Sequence, residues 1–291
     1  MAEKQKDIII ANPMFDVVFK HLMMADKDIA RYFVATIIGE EITDIDFAPQ
    51  EYTYQKEVQT ETEIKKLSLI RLDFVATIRS KDGYAKKVLI EIQQSLKPYD
   101  VARFRSYLGK QYLNKENLVT EGDKIVMAIP IIVIYILGSE MAETPHVAVK
   151  VKRTAVDMLD GENVEIKDPL FDGLTHDACF IQVARLKSEM YDDWEKCSEL
   201  KKMLSLFEQN HFTEKTYFKK YPYPITNKIL EKMVNTLEYI AADPKVRRAM
   251  EEEEFAALDV QFLQNVIAQE RNALAQANAQ IAELKRMLGL N

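Results

Sequence analysis

Apolar positions along the chain fall into blocks of two different periods. Phe15, Val18, Phe19, Leu22 and Met23, then Ile29, Phe33 and Ile37, recur at helical spacing. Asn12 supplies an N-cap and Pro13 a first helical position, and Gly39 closes the block. One long helix, or two with a break near Ala25-Asp26, satisfies this pattern. Three strand-like stretches follow at 51–58, 69–79 and 84–93, then a helix over residues 100–115 and a buried strand at Ile129–Leu137. The order is α-β-β-β-α-β. A further strand is expected at Ala178–Arg185, and from Lys187 the chain reads as helical with a break at 221–224. Val260, Leu263, Ile267, Glu270, Leu274, Ala277, Ile281, Leu284 and Leu288 alternate spacings of three and four, a heptad seam with one polar interruption at Glu270. A long helix packed on its own domain gives the same spacing; a coiled coil, and through it a homodimer, is the preferred reading. The expected domains are 1–186, a helical region 187–243 and a long helix 244–291.

In the stretch 69–79, Ile70, Leu72, Phe74, Ala76 and Ile78 form one apolar face, with Arg71, Asp73 and Thr77 on the other. The next strand alternates Val88, Ile90 and Ile92 with Glu91 and Gln93. Lys81-Asp82-Gly83 fits a three-residue hairpin loop, a type I turn followed by a left-handed glycine. That loop sets Asp73 opposite Glu91 and Arg71 opposite Gln93. A two-residue loop would instead set a carboxylate beside the apolar residues. Two carboxylates about 5 Å apart at Cβ repel and call for compensation. Either Arg71 neutralises them, or they hold a divalent cation such as Mg²⁺, which takes oxygen ligands from one or two carboxylates plus water and phosphate.

The 291 residues carry a net charge of −7, with 47% hydrophobic and 29% charged residues, a soluble and globular balance. Charge is unevenly spread. Residues 60–115 hold 12 Lys and Arg against 6 Asp and Glu, so that segment is +6 and the remainder −13. A basic island containing the hairpin and the following helix is what phosphate binding needs. No apolar run approaches the roughly 18 residues of a membrane span, and the charged N-terminus shows no secretory signal. Cys179 and Cys197 make neither a disulfide framework nor a CxxC site, so a cytoplasmic protein is expected. His176 and Cys179 are three apart on an apparent strand and point to opposite faces, which argues against a nucleophile–base pair.

Phe15-Asp16-Val17-Val18-Phe19-Lys20, Arg71-Leu72-Asp73-Phe74, Ile90-Glu91-Ile92-Gln93-Gln94 and the Arg103/Tyr107 helix together resemble the PD-(D/E)XK nuclease superfamily. Within it the chain is similar to the Rpn-like group of recombination-promoting nucleases and transposases. The resemblance spans about residues 10–140. It implies a restriction-endonuclease-like α/β core, which the mostly helical C-terminal region read from the pattern follows, and Mg²⁺-dependent (or Mn²⁺- or Ca²⁺-dependent) endonucleolytic cleavage of double-stranded DNA. Carried over, Asp73 and Glu91 hold the metal, with the Ile92 carbonyl as a further ligand. Gln93 occupies the superfamily's lysine position; Gln orients water or phosphate but carries no charge and cannot act as a base. The Rpn-like group often has Gln there. Asp16 is a candidate third metal ligand, or a first-turn carboxylate suited to the helix dipole and to Lys20. Arg103, Tyr107, Lys110 and Gln111 share a helical face, and with Arg71 and Lys97 they form the expected DNA-binding surface. The rival expectation is a catalytically decayed nuclease fold that binds DNA or assembles through its terminal coil.

Overall fold

A computed structural model describes residues 8–47, 55–59, 64–68, 74–81, 83, 85–93, 101–121, 124–166 and 169–288. Strand β1 (Ile9–Ala11) precedes helices α1 (Asp16–Ala25) and α2 (Lys27–Ile38), then β2 (Ile42–Phe47). β3 (Gln55–Gln59) and β4 (Ile64–Ser68) lead to β5 (Phe74–Ser80) and β6 (Ala85–Gln93). Helix α3 (Val101–Leu113), strands β7 (Leu118–Glu121) and β8 (Lys124–Ala128), and β9 (Ile131–Leu137) follow. Next come β10 (Ala148–Val151), β11 (Ala155–Val156), β12 (Asn163–Val164), α4 (Pro169–Leu174) and β13 (His176–Gln182). The chain ends with α5 (Glu199–Leu204), β14 (Phe212–Glu214), β15 (Phe218–Lys220), α6 (Lys228–Ala241) and α7 (Pro244–Met287). Met1–Val246 forms one compact unit and Arg247–Asn291 a second. Residues 187–243, expected as a separate region, fall within the first.

The centre of that unit is a mixed six-stranded sheet in the order β10-β13-β9-β6-β5-β2. β6, β9 and β13 run parallel, while β10, β5 and β2 pair antiparallel with their neighbours. This α/β sheet differs from expectation at its edge. The stretch read as 51–58 is not part of it: β3 pairs with β4 in a hairpin of its own, and β5 pairs instead with β2. A bulge between Ile42 and Asp44 breaks the two-residue alternation of β2, which hides it from a pattern search.

The N-terminal block is two helices. Asp26 has extended backbone (φ −153°) and its carboxylate accepts the Asp28 N–H, capping α2. Gly39 closes α2 in the left-handed region (φ 71°), its N–H donating to the Ala35 carbonyl at 2.9 Å. Asn12 is not the N-cap of α1, which starts at Asp16. Asn12 is buried; its side-chain oxygen accepts the Met14 N–H, and its amide donates to Thr216 O at 2.8 Å and Gln209 Oε1 at 3.0 Å. Distant chain groups outcompete the helix end for it.

Alternate residues of the sheet face different layers. Phe74 meets Phe19 of α1 edge-on at 6.2 Å, and Phe19 meets Phe33 of α2 at 5.4 Å. On the opposite face Val75, Leu89, Val133 and Leu137 pack with Phe104 and Tyr107 of α3. All seven residues of β9 are buried. Residues 187–227 are less helical than expected: beside α5 and short 3₁₀ turns they contain β14 and β15, and β15 pairs with β1 to complete a three-stranded sheet. Here Glu208 is 1% exposed and held by Ser188 Oγ (2.7 Å), Asn210 Nδ2 (2.7 Å) and the Tyr223 hydroxyl, while its carbonyl accepts from the buried Lys219 Nζ at 2.5 Å.

Candidate functional site

The hairpin carrying the predicted acidic face forms in the expected register. Phe74 stands opposite Ile90, Ala76 opposite Val88 and Arg79 opposite Ala85. Gly83 adopts φ 84°, and its N–H donates to the Ser80 carbonyl at 2.9 Å, closing the turn. Arg71, Asp73 and Lys97 lie outside the described residues.

Glu91 is 2% exposed, an unusual burial for a carboxylate. Its place follows from alternation: Leu89 and Glu91 share the face that α3 covers. Across the parallel ladder its partner is Tyr135, which stacks on Phe180 at 4.8 Å and meets Phe104 edge-on at 4.3 Å. Burial pushes the Tyr135 phenol up to about 12, and the negative charge of Glu91 adds to that rise. Glu91 and Gln93 sit at the carboxyl ends of the parallel strands β6, β9 and β13, where open α/β sheets place their ligands.

Gln93 is the next residue on the same face. Its Oε1 is buried and accepts no hydrogen bond among the described residues, while its carbonyl accepts the Gly138 N–H at 2.7 Å. The Ile92 side chain points to the other face, so only its carbonyl, in the plane of the sheet, could take part. Sequence reasoning missed Gln182, which lies level with Leu137 and Gln93 across the sheet. Fully buried, it donates to the Thr144 and His146 carbonyls (2.9 and 2.6 Å) and accepts from the Met141 N–H and Arg185 Nε. With the Arg185–Glu140 ion pair at 2.9 Å, it fixes the segment that leaves β9 at this end of the sheet. A glutamine amid an apolar strand gives no periodic signal to reveal this.

The helix face assigned to DNA needs correction at Tyr107. It is 3% exposed and packs onto the sheet with Phe104, because 104, 107, 108 and 111 make the apolar-facing stripe of α3. Gln111 is likewise buried and binds Asn117. Lys110 is half-buried on the flank, and Arg103 lies on α3 with its side chain outside the described positions. Asp16 is in the first turn of α1, its Oδ2 2.7 Å from Lys20 Nζ. Its helix packs through Phe19 on the face opposite Glu91. Among the described residues, no three His, Cys, Asp or Glu side chains converge as a metal site, and no helix is long and apolar enough to cross a membrane. The chain matches no family model, no curated protein and no solved structure.

Proposed function

We propose that the protein is a metal-dependent endonuclease acting on double-stranded DNA, of the Rpn-like PD-(D/E)XK type, with a restriction-endonuclease-like core. The observation carrying this reading is Glu91, a buried carboxylate at the carboxyl ends of parallel strands, on a hairpin that forms in the expected register from Phe74 onward. The donors suit a hard divalent cation. Glu91 offers carboxylate oxygen, Gln93 a buried amide oxygen, and no soft ligand lies beside them in β6. Asp73, Glu91 and the Ile92 carbonyl would hold Mg²⁺, while Asp16, paired with Lys20 on the helix across the sheet from Glu91, would not. When bound, the ion would neutralise phosphate charge and lower the pKa of a nucleophilic water. Gln93 would orient that water through its amide, and Tyr135 and Phe104 close the inner side of the site to solvent. Arg71, Lys97, Arg103 and Lys110 would steer the phosphate backbone without reading sequence.

Supercoiled-plasmid nicking tests this. Wild type should cleave with Mg²⁺ or Mn²⁺, and Glu91→Gln, close in shape, should lose on the order of 100-fold or more while keeping its circular dichroism spectrum and melting temperature. Asp73→Asn should behave alike. Cleavage untouched by either change would sink the proposal. Metal-independent DNA binding without cleavage would favour the decayed-scaffold reading, which Gln93 in place of lysine keeps open.

A further inference from the structure

The strongest feature outside the Glu91 region is the short hairpin β11–β12. At its tip Met158 is 97% and Leu159 96% exposed, two adjacent large apolar side chains given almost wholly to water. The tip is nevertheless built. Asp157 Oδ1 accepts the Leu159 N–H at 2.8 Å, and Asp160 Oδ1 accepts the Glu162 N–H at 2.9 Å. The Asp157 N–H donates to the Glu162 carbonyl, the Gly161 N–H donates to the Asp157 carbonyl, and Gly161 takes φ 82°. The base is clamped as well: Arg153 Nε reaches Asp177 at 2.9 Å, and its Nη1 reaches Thr175 Oγ1 at 2.8 Å and the Phe171 carbonyl at 3.2 Å. Polar bonds therefore set the conformation, and the two apolar side chains contribute nothing to holding it.

Charge identifies what the tip suits. Residues 154–166 contain Asp157, Asp160, Glu162 and Glu165 and no Lys or Arg, a net −4 around the apolar pair. Such a rim repels nucleic acid and anionic lipid and attracts a cationic surface. An apolar prong whose turn is held by its own hydrogen bonds loses less entropy on docking than a loose loop. We propose that the β11–β12 hairpin is a docking prong, seating Met158 and Leu159 on the apolar stripe of an amphipathic helix of another protein whose flanks carry lysine and arginine. This does not depend on the nuclease reading.

The test uses the full chain and two fluorescent probes, an amphipathic helical peptide of leucine and lysine and its leucine–glutamate counterpart, read by anisotropy. The lysine peptide should bind and the glutamate peptide should not. Met158→Ser/Leu159→Ser should weaken binding about tenfold or more with an unchanged melting temperature, because both side chains lie outside any core. Asp160→Asn/Glu162→Gln, which keeps the Asp160 turn bond, should also weaken it and reduce its salt dependence. No binding, equal binding of both peptides, or variants that bind like wild type would each overturn the proposal. So would loss of self-association in the Met158/Leu159 variant by sedimentation, which makes a second copy the occupant. Loss of that variant's partition to phosphatidylcholine vesicles would likewise overturn it in favour of a lipid.

Discussion

Lys219 shows what a single buried charge does to the whole stability curve. Burial pushes its ammonium down to about 7 from the ordinary 10.5, with Glu208 opposing that shift. In the folded protein the amine is neutral above about pH 7, whereas in the unfolded chain it stays protonated until about 10.4. The unfolded state thus binds more protons between these limits, and stability rises with pH through that window. Below pH 7 both states are protonated and the cost of burial is felt in full. Urea unfolding of wild type and Lys219→Met at pH 6.5 and pH 9 should show the wild type gaining on the variant as pH rises, by at most about 1.4 kcal/mol per pH unit. A constant difference would place the ammonium in an ordinary environment. At this scale the sequence was legible where a residue acts locally, as Gly39 and Asp26 do. Asn12 was misread because its partners, Thr216 and Gln209, lie some two hundred residues away.

Among the elements, the β5–β6 hairpin was the most legible. Its register is set by a tripeptide loop and by alternation on both strands, all of it local information. Gly83 is where that register is enforced. Among the described residues, none beyond its chain neighbours comes within 4 Å of an added Cβ there, so Gly83→Ala meets chiefly backbone strain at φ 84°. A loss of about 1–2 kcal/mol at unchanged urea m-value is expected, and Gly83→Asn should lose less. β2 was illegible because its bulge turns a two-residue period into buried positions three apart, Ile42 and Ile45. For α3 helical spacing groups Tyr107 and Gln111 with Arg103 and Lys110, and only the sheet beneath the helix decides that Tyr107 points inward. Glu91 was found from its pairing, but its burial was not foreseen, since that depends on α3 lying over the strand.

On the scale of the whole molecule, α7 from Arg247 onward belongs to a compact unit of its own, and Leu274, Ile281 and Leu284 of its seam are each more than half exposed. A helix of this length with an apolar heptad stripe is stabilised by a partner helix rather than by propensity alone. Sedimentation should therefore show a dimer at micromolar concentration and a monomer for Leu274→Asp/Ile281→Asp, with the melting of the first unit unchanged; a monomeric wild type would rule the coil out. The first unit carries a liability of a different kind in β9. Ile-Ile-Val-Ile-Tyr-Ile-Leu is uncharged and mostly β-branched, and both of its ladder partners lie roughly forty residues away along the chain. During synthesis β6 is available to cover one side at once, but β13 emerges only later, so the nascent strand waits half-covered. Such a segment is a template for amyloid-like stacking. Pro130 and Gly138, which bracket it, are residue types poorly suited to extending such stacking. The strand at the centre of the finished sheet is thus paired on both edges only once β13 has been made.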